Sequence, residues 1–336
     1  MNYITSGDTI IFNSEFNEEL DTELISGYKK LIFSDYELNE RIFEYYANNN
    51  FYGLKCIRSL FNQDVSSIPH RITHLTFGWV FNQDVSVLPP FLTHLTLGAH
   101  FNQDVSTLPP FLIHLTFGID FNKDVKSLPP FLTHLTFGSS FNKDVSSLPP
   151  SLTHLIFGSS FNKDVILLPS TLTHLTFGWY FNQDVSNLPR NLTHLTFGNC
   201  FNQQYLIPPN IKYLKLNCDN LYIINSLPNS IFELELDYCF KLEMDNLPTS
   251  IKKLVIDRTS NYNMDLNCLP DFIEELHLNI CYKKRILHIP LNLKKIVCYK
   301  EYPYINDFVM HDVQIVCYKG YPHIKDFVMH DIEIYR

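Results

Sequence analysis

The sequence has none of the segments that mark a secreted or membrane-spanning protein. Residues 1–10 contain no basic stretch followed by an apolar run, so no signal peptide is predicted. No stretch approaches the roughly 18 consecutive apolar residues that are needed to span a bilayer. We therefore expect a soluble protein of the cytoplasm that does not bind membranes.

Signatures of catalysis and of nucleic-acid binding are also missing. The chain has no serine nucleophile elbow, no phosphate-cradling glycine loop and no H-E-x-x-H motif. Residues 61–200 contain no Glu, eight Asp and six Lys plus Arg, so they carry only −2 of the net charge of −9 on 336 residues. Binding to a phosphate backbone requires clustered Lys and Arg, and the sequence shows no basic stripe of that kind. These absences favour a protein that is not an enzyme, needs no cofactor and binds no nucleic acid. We also expect it to be a monomer.

Cysteine is present without the spacing of a metal or redox motif. None of the eight cysteines forms a C-x-x-C pair, and seven of them lie in the C-terminal half. We interpret them as buried free thiols rather than as zinc ligands. Four follow successive repeat strands and are predicted to stack as small apolar residues: Cys200, Cys218, Cys239 and Cys281.

What the chain does contain is one 20-residue unit in seven near-identical consecutive copies over residues 61–200. The first copy reads FNQDVSSIPHRITHLTFGWV. A unit of this length is too short for a domain and too long for a heptad, so it must bury its apolar face against neighbouring copies. The repeat predicts a solenoid that grows in one dimension.

One copy, residues 152–170, shows how each coil is expected to fold. Leu155 and Phe157 alternate with His154 and Ile156, which is typical of a short strand with one buried face. A proline later in the coil, Pro169, enforces an extended return path. We therefore predict a mainly β, right-handed solenoid with a parallel sheet on its concave face, about 20 residues per coil and few or no long helices.

Stacking such coils turns each repeat position into a column of identical residues. Two phenylalanine columns, which begin at Phe61 and Phe77, are expected to supply most of the stability, at about 1.5–3 kcal/mol per buried ring. Asn62 and its equivalents are expected to bond the backbone of adjoining coils, and Asp64 and its equivalents to cap turns rather than bind calcium. Gly78 and its equivalents are expected to adopt a backbone angle that a side chain would oppose.

Histidine forms the column with the most chemical potential. Seven of the fourteen histidines occupy one outward strand position: His74, His94, His114, His134, His154, His174 and His194. Threonines flank them on the same face: Thr76, Thr96, Thr116, Thr136, Thr176 and Thr196. Closely stacked imidazoles repel one another when charged, so we predict that the inner ones have a pKa below about 6.5.

Two interpretations of this histidine column remain open. It is either a polar stack propagated by duplication or a surface that binds a protein partner. Metal binding is disfavoured because the face offers no Cys, Asp or Glu beside the imidazoles, and general acid–base catalysis would need one histidine singled out by a partner and a pocket. We predict no metal site and no catalytic residue.

The motifs FNxDV, LPPSL and HLTFG resemble the FNIP repeat, a relative of the leucine-rich repeat. The Phe-Asn half of the name-giving tetrad is kept, while Gln-Asp or Lys-Asp replaces the rest. Such proteins are expanded in amoebae and in the giant DNA viruses that infect them, so the chain would work in host cytoplasm if it is viral. The resemblance implies a curved solenoid used for protein binding, sometimes attached to an F-box, and it implies no catalytic residues.

The ends of the array are less regular. We predict an N-terminal cap over residues 1–60, with a strand at 30–33 and a short helix within 37–47, and a repeat solenoid over 61–300 of about twelve coils. Residues 301–336 are predicted to be a divergent C-terminal cap, because a 19-residue segment from Ile296 recurs from Ile315. The alternative for residues 1–60 is an F-box-like adaptor segment, which would make the protein a substrate receptor of a ubiquitin ligase.

Overall fold

A computed structural model describes residues 2–39, 41–48, 54–236, 247–258, 260–309, 311–318 and 332–335. Its strands are β1 (Tyr3–Ser6), β2 (Thr9–Phe12), β3 (Lys30–Phe33), β4 (His74–Thr76), β5 (His94–Thr96), β6 (His114–Thr116), β7 (His134–Thr136), β8 (His154–Ile156), β9 (His174–Thr176), β10 (His194–Phe197), β11 (Tyr213–Leu216), β12 (Glu233–Leu236), β13 (Lys253–Ile256), β14 (Glu275–His277), β15 (Lys295–Tyr299), β16 (Gln314–Tyr318) and β17 (Ile332–Tyr335). The helices are short: α1 (Thr22–Ile25), α2 (Ile42–Asn48), α3 (Leu221–Asn225) and α4 (Asn306–Val309).

The chain forms two compact units, each a stack of coils with one parallel sheet. The first unit holds residues 1–172 and 187–189, and the second holds 173–186 and 190–336. In the first, β1 is antiparallel to β2, and β2 to β8 pair parallel in sequence order. In the second, β9 to β16 pair parallel, and β17 is antiparallel to β16. The predicted fold class, a mainly β solenoid of roughly 20-residue coils with few helices, is confirmed.

The apolar columns build the core as predicted. Phe77 and Phe81 are fully buried and lie face to face with their ring centroids 3.6 Å apart, and Phe81 follows Phe61 at 6.2 Å. Leu155 and Phe157 point inward, whereas Ile156 between them is 44% exposed. Parallel strands in exact register place identical residues on neighbouring coils, so the aromatic rings form one continuous packed column within each unit.

Asparagine links consecutive coils through its side chain, which confirms the predicted structural role. The backbone N–H of Asn82 donates to Oδ1 of Asn62 at 2.8 Å, and the backbone N–H of Asn142 donates to Oδ1 of Asn122 at 3.0 Å. These bonds satisfy corner amides that no strand reaches. The aspartate column caps turns, as expected: the backbone N–H of Ser86 donates to Oδ1 of Asp84 at 2.8 Å.

The expectation for the strand-end glycines is wrong in its cause. Gly98, Gly118, Gly138, Gly158 and Gly198 do not have the positive φ that was expected. A Cβ on any of these five would instead collide with the carbonyl oxygen of the glycine one coil earlier. Glycine is therefore required by the close approach of two backbones, not by an unusual backbone angle.

The cysteine prediction holds only in part. Cys218, Cys298 and Cys317 are buried, but Cys56 and Cys268 are exposed, and so are Cys200 and Cys281. Position in the repeat fails to bury these last two because they lie in the turn after the strand, beyond the last inward-facing residue. Cys239 lies outside the described residues.

Both ends contribute strands to the sheets. β3 has the predicted bounds, and α2 begins five residues later than the start of the predicted segment. Phe16 stacks on Phe61 with centroids 5.9 Å apart, and Oδ1 of Asn17 accepts a hydrogen bond from the backbone N–H of Asn62, so the repeat columns reach into the N-terminal segment.

At the C-terminal end, β15 and β16 pair with Ile296 opposite Ile315. The division into two caps and a solenoid stays a prediction, and residues 319–331 of the second 19-residue copy lie outside the described residues.

Candidate functional site

The histidine column is a face-to-face stack of imidazole rings, which we call the imidazole column. In the first unit it comprises His74, His94, His114, His134 and His154, with successive centroids 4.1–4.3 Å apart and ring planes within 19° of parallel. In the second unit His174, His194 and Tyr213 stack in the same way, at 3.8 and 4.0 Å. All the histidines are half-buried. The strand register, set by the buried leucine between His and Thr, is what brings the rings together.

In six of the seven coils a threonine precedes the histidine and fixes its ring. Oγ1 of Thr93 lies 2.9 Å from Nδ1 of His94, and the same contact recurs at 2.8–2.9 Å in five other coils. The Thr93 hydroxyl also donates to the carbonyl of Thr73 at 3.0 Å. A hydroxyl has one proton, so we assign His94 the Nδ1–H tautomer, in which Nδ1–H donates to Oγ1 and Nε2 is left as an acceptor.

These threonines were missed by the sequence reasoning. The candidate set contained Thr76 and its equivalents, two residues after each histidine, because alternation places them on the same face. The partners that hold the rings are Thr73, Thr93, Thr133, Thr153, Thr173 and Thr193. The signal was present in the recurrent dipeptide Thr-His, broken once where Ile113 precedes His114.

Burial keeps the column neutral. It lowers the pKa of His74, His94, His114, His134 and His154, and for His94 and His134 it lowers the pKa to about 4. Repulsion between neighbouring imidazoles, the cause we had expected, contributes less than desolvation for His94, His114 and His134. The surface therefore offers uncharged rings at neutral pH.

The free hydrogen-bonding groups of this face point outward. Within the described part of the chain, Nε2 of His74, His94 and His134 makes no hydrogen bond, and neither does the hydroxyl of Thr96 or Thr136. Among the same residues, no group of three or more His, Cys, Asp and Glu side chains could hold a metal ion. The face can accept and donate hydrogen bonds and stack against a partner, but no group on it is singled out for proton transfer.

The sheet face of the second unit has a different chemistry after Tyr213. Lys215 pairs with Glu235 at 2.6 Å, Glu233 with Lys253 at 3.0 Å, and Glu275 with Lys295 at 2.8 Å. Burial raises the pKa of Glu275, but the bonds from Lys295 and His277 outweigh it, so the net shift is downward. Opposite charges on neighbouring parallel strands pair with one another. The charged groups of these three pairs are therefore already bonded within the sheet, whereas Nε2 of His94 and His134 is not.

The coils, the parallel register and the inward Leu and Phe pairs define a leucine-rich-repeat-like solenoid. The sequence matches the FNIP Repeat family over residues 61–99, 84–120, 121–160, 144–178, 161–200 and 201–239, which together span more than half of the chain. The chain belongs to the FNIP repeat family, as its motifs indicated.

Solved structures support the same fold. CroV588, a giant-virus protein described as a novel circular leucine-rich-repeat protein, is 31% identical, with a TM-score of 0.65 over 89% of this chain. The chain spans only 48% of the length of CroV588. The functional domain of InlJ from Listeria monocytogenes is 15% identical, with a TM-score of 0.51 over 87% of this chain and 67% of that one, which shows the fold alone. None of the curated proteins compared with the chain matches it.

A solenoid of this type generally suits protein–protein interaction and is typically a non-catalytic scaffold. Among the described residues no helix is long and apolar enough to cross a bilayer.

Proposed function

We propose that the chain is a non-catalytic scaffold that binds a protein partner through the imidazole column and the threonines beside it. One observation carries the proposal: within the described part of the chain, Nε2 of the neutral His94 and His134 rings makes no hydrogen bond, and neither does the hydroxyl of Thr96. Half-buried polar groups that lack a hydrogen-bond partner are stabilised when a second protein surface supplies that partner. With Nε2 as an acceptor, the partner must present hydrogen-bond donors at this face.

The proposal is tested by proximity labelling in the native cell with the full chain fused to a labelling enzyme. The test variant carries His94→Gln, His114→Gln and His134→Gln, which keep a polar side chain but remove the stacked rings. The matched control carries Lys123→Gln, Lys143→Gln and Lys163→Gln, which restore the glutamine found at that position in other coils. We expect the histidine variant to lose labelled partners that the lysine variant keeps. Equal recovery by both variants would mean that the column is only structural.

The alternative, a ubiquitin-ligase substrate receptor with an F-box-like N-terminus, has weaker support. In residues 1–60 three segments already serve as sheet strands, β1, β2 and β3, and the described helices there are the short α1 and α2. The alternative predicts that the purified full chain binds the adaptor subunit of a cullin-type ligase. Absence of that complex in a binding assay would remove it.

The remaining functional expectations are proposals of the same standing. We propose that the protein acts as a monomer in a reducing compartment such as the cytoplasm (host cytoplasm if the chain is viral), without binding nucleic acid. Four cysteines are exposed and in no disulfide, which suits that compartment: Cys56, Cys200, Cys268 and Cys281.

A further inference from the structure

A second surface of the first unit exposes three stacked aromatic rings, which we call the phenylalanine ridge. Phe91, Phe111 and Phe131 are 59%, 48% and 57% exposed, and successive ring centroids lie 6.1 and 6.3 Å apart. Each ring follows an exposed proline in the corner that leads into a strand. Three adjacent exposed phenylalanines are costly in water and form an apolar patch of the kind found at interfaces.

Other coils place a hydrogen-bond donor at the ridge position. Oγ of Ser151 lies 2.7 Å from the carbonyl oxygen of Pro130 and 2.6 Å from that of Leu132. Oγ1 of Thr171 makes the equivalent contacts with Pro150 and Leu152, at 2.8 and 2.6 Å. The position therefore normally bonds two carbonyls of the preceding coil.

Phenylalanine cannot do this, so the ridge leaves a row of carbonyls without a protein donor. In the described part of the chain no group donates to the six carbonyls beneath the ridge, those of His70, Ile72, Pro90, Leu92, Pro110 and Leu112. A purely apolar partner would cover the rings but bury these acceptors unpaired, at a cost in free energy. The occupant must bring both a flat apolar surface and several N–H donors.

The chain itself shows which group meets both needs. Arg71 occupies the ridge position of the first coil, and its Nη1 donates to the carbonyl of Ser26 at 2.7 Å. Elsewhere in the same unit the guanidinium of Arg58 lies over the ring of Trp79, 4.3 Å from its centroid. A guanidinium is planar, weakly hydrated and rich in donors, so it can stack on an aromatic ring while it bonds carbonyls.

We propose that the phenylalanine ridge binds an arginine-containing segment of a partner protein, with guanidinium groups stacked on Phe91, Phe111 and Phe131. Their N–H groups donate to the six carbonyls beneath the ridge, which are equivalent to the carbonyls that serine and threonine bond in other coils. This surface is distinct from the imidazole column, so it can hold a second contact of the same partner or a different one. It does not depend on the proposed function of the imidazole column.

The test is fluorescence anisotropy with the full chain and a fluorescein-labelled peptide of alternating arginine and glycine, at physiological ionic strength. The comparison peptide replaces every arginine with lysine and keeps length and charge. The triple variant Phe91→Ser, Phe111→Ser and Phe131→Ser removes the rings. Each new serine can bond the carbonyls of the preceding coil as Ser151 does, so the variant is expected to stay folded. We expect it to bind the arginine peptide about tenfold more weakly than the wild-type chain does.

Two further variants make the result decisive. The first variant carries Phe91→Leu, Phe111→Leu and Phe131→Leu, which keep an apolar side chain but remove the aromatic faces. It should also bind the arginine peptide more weakly, so it tests the role of the rings even if the serine variant unfolds. Ile166→Ser and Leu167→Ser remove exposed apolar side chains elsewhere in the same unit and should leave binding unchanged. The proposal is overturned if the wild-type chain does not bind the arginine peptide, if it binds the lysine peptide equally well, or if the leucine variant keeps full affinity.

Discussion

At the ends of five strands, a glycine has the preceding coil's glycine carbonyl where its own Cβ would have to lie. For Gly118 the obstacles are the carbonyl group of Gly98 and Cα of Ala99. These are backbone atoms, which cannot move aside as a side-chain tip could. The spacing of the coils is therefore limited by glycine at this one position.

We predict that Gly118→Ala lowers the free energy of unfolding by about 1–3 kcal/mol, because the added methyl forces two coils apart. Gly27→Ala is the matched control, because a Cβ there has open space within 4 Å and the residue has no positive φ. Chemical denaturation monitored by circular dichroism would measure both. Equal stability of the two variants would show that the coils are less tightly apposed than the structure has them.

The asparagine bonds lead to a second prediction at the residue scale. Asn122→Ala removes the oxygen that accepts from the backbone N–H of Asn142 and leaves that corner amide without its partner. We expect a loss of about 1–3 kcal/mol in the free energy of unfolding. Lys123→Gln, the adjacent change to a residue present in other coils, should leave stability unaltered in the same denaturation experiment. If both changes are silent, solvent satisfies the corner instead.

At the scale of strands, the second unit stabilises neighbouring strands through opposite charges. Lys215 on β11 pairs with Glu235 on β12, and the side chains that flank this pair along the sheet are the uncharged Thr196 and Val255. The pair therefore joins two strands whose next neighbours at this register position are uncharged. It is a clean place to measure what the charged face contributes.

We predict that Glu235→Lys costs about 0.5–1 kcal/mol, because it sets two ammonium groups opposite each other on partly exposed strands. The exchange Lys215→Glu with Glu235→Lys should recover most of the loss. Urea denaturation of the two single variants and the double variant gives the coupling energy. Additive effects with no recovery would rule out a direct interaction.

The sequence predicted elements best where the repeats are closest. Identical residues 20 positions apart fixed the strand register, and the register implied the stacked Phe, Asn and His columns. The coil that contains Phe16 and Asn17 was not predicted, because the long segment between Asn17 and Phe61 hides the repeat spacing. The role of Thr93, the reason for Gly118 and the exposure of Phe91 depend on distances between coils, which a linear pattern does not contain.

At the scale of the whole molecule, the two units present different surfaces. The first unit displays neutral acceptors, on the imidazole column and beneath the phenylalanine ridge, whereas the sheet face of the second is largely charge-paired beyond Tyr213. The columns of Phe, Leu, Asn and Gly are used in packing within each unit. The outward His and Thr side chains are not used in this packing, which is why a binding role is proposed for them.

The lowered pKa values of the column histidines predict how the stability of the folded chain depends on pH. A histidine whose pKa is lowered by folding binds fewer protons in the folded than in the unfolded chain, so its contribution is full above about pH 6.5 and falls as pH drops toward the folded value. For His94 and His134 that value is about 4. We therefore expect lower stability at pH 5 than at pH 7, measured by urea denaturation. His94→Gln with His134→Gln should reduce the difference, and an unchanged slope would assign it to other groups.

The neutrality of the imidazole column is tested most directly by a site-resolved NMR titration of its histidines. We expect the pKa of His94 and His134 to lie near 4, and those of His74, His114 and His154 to lie below about 6.5. Values at or above 6.5 for all of these histidines would mean that the rings are solvated and apart. That result would contradict a stacked, neutral binding surface.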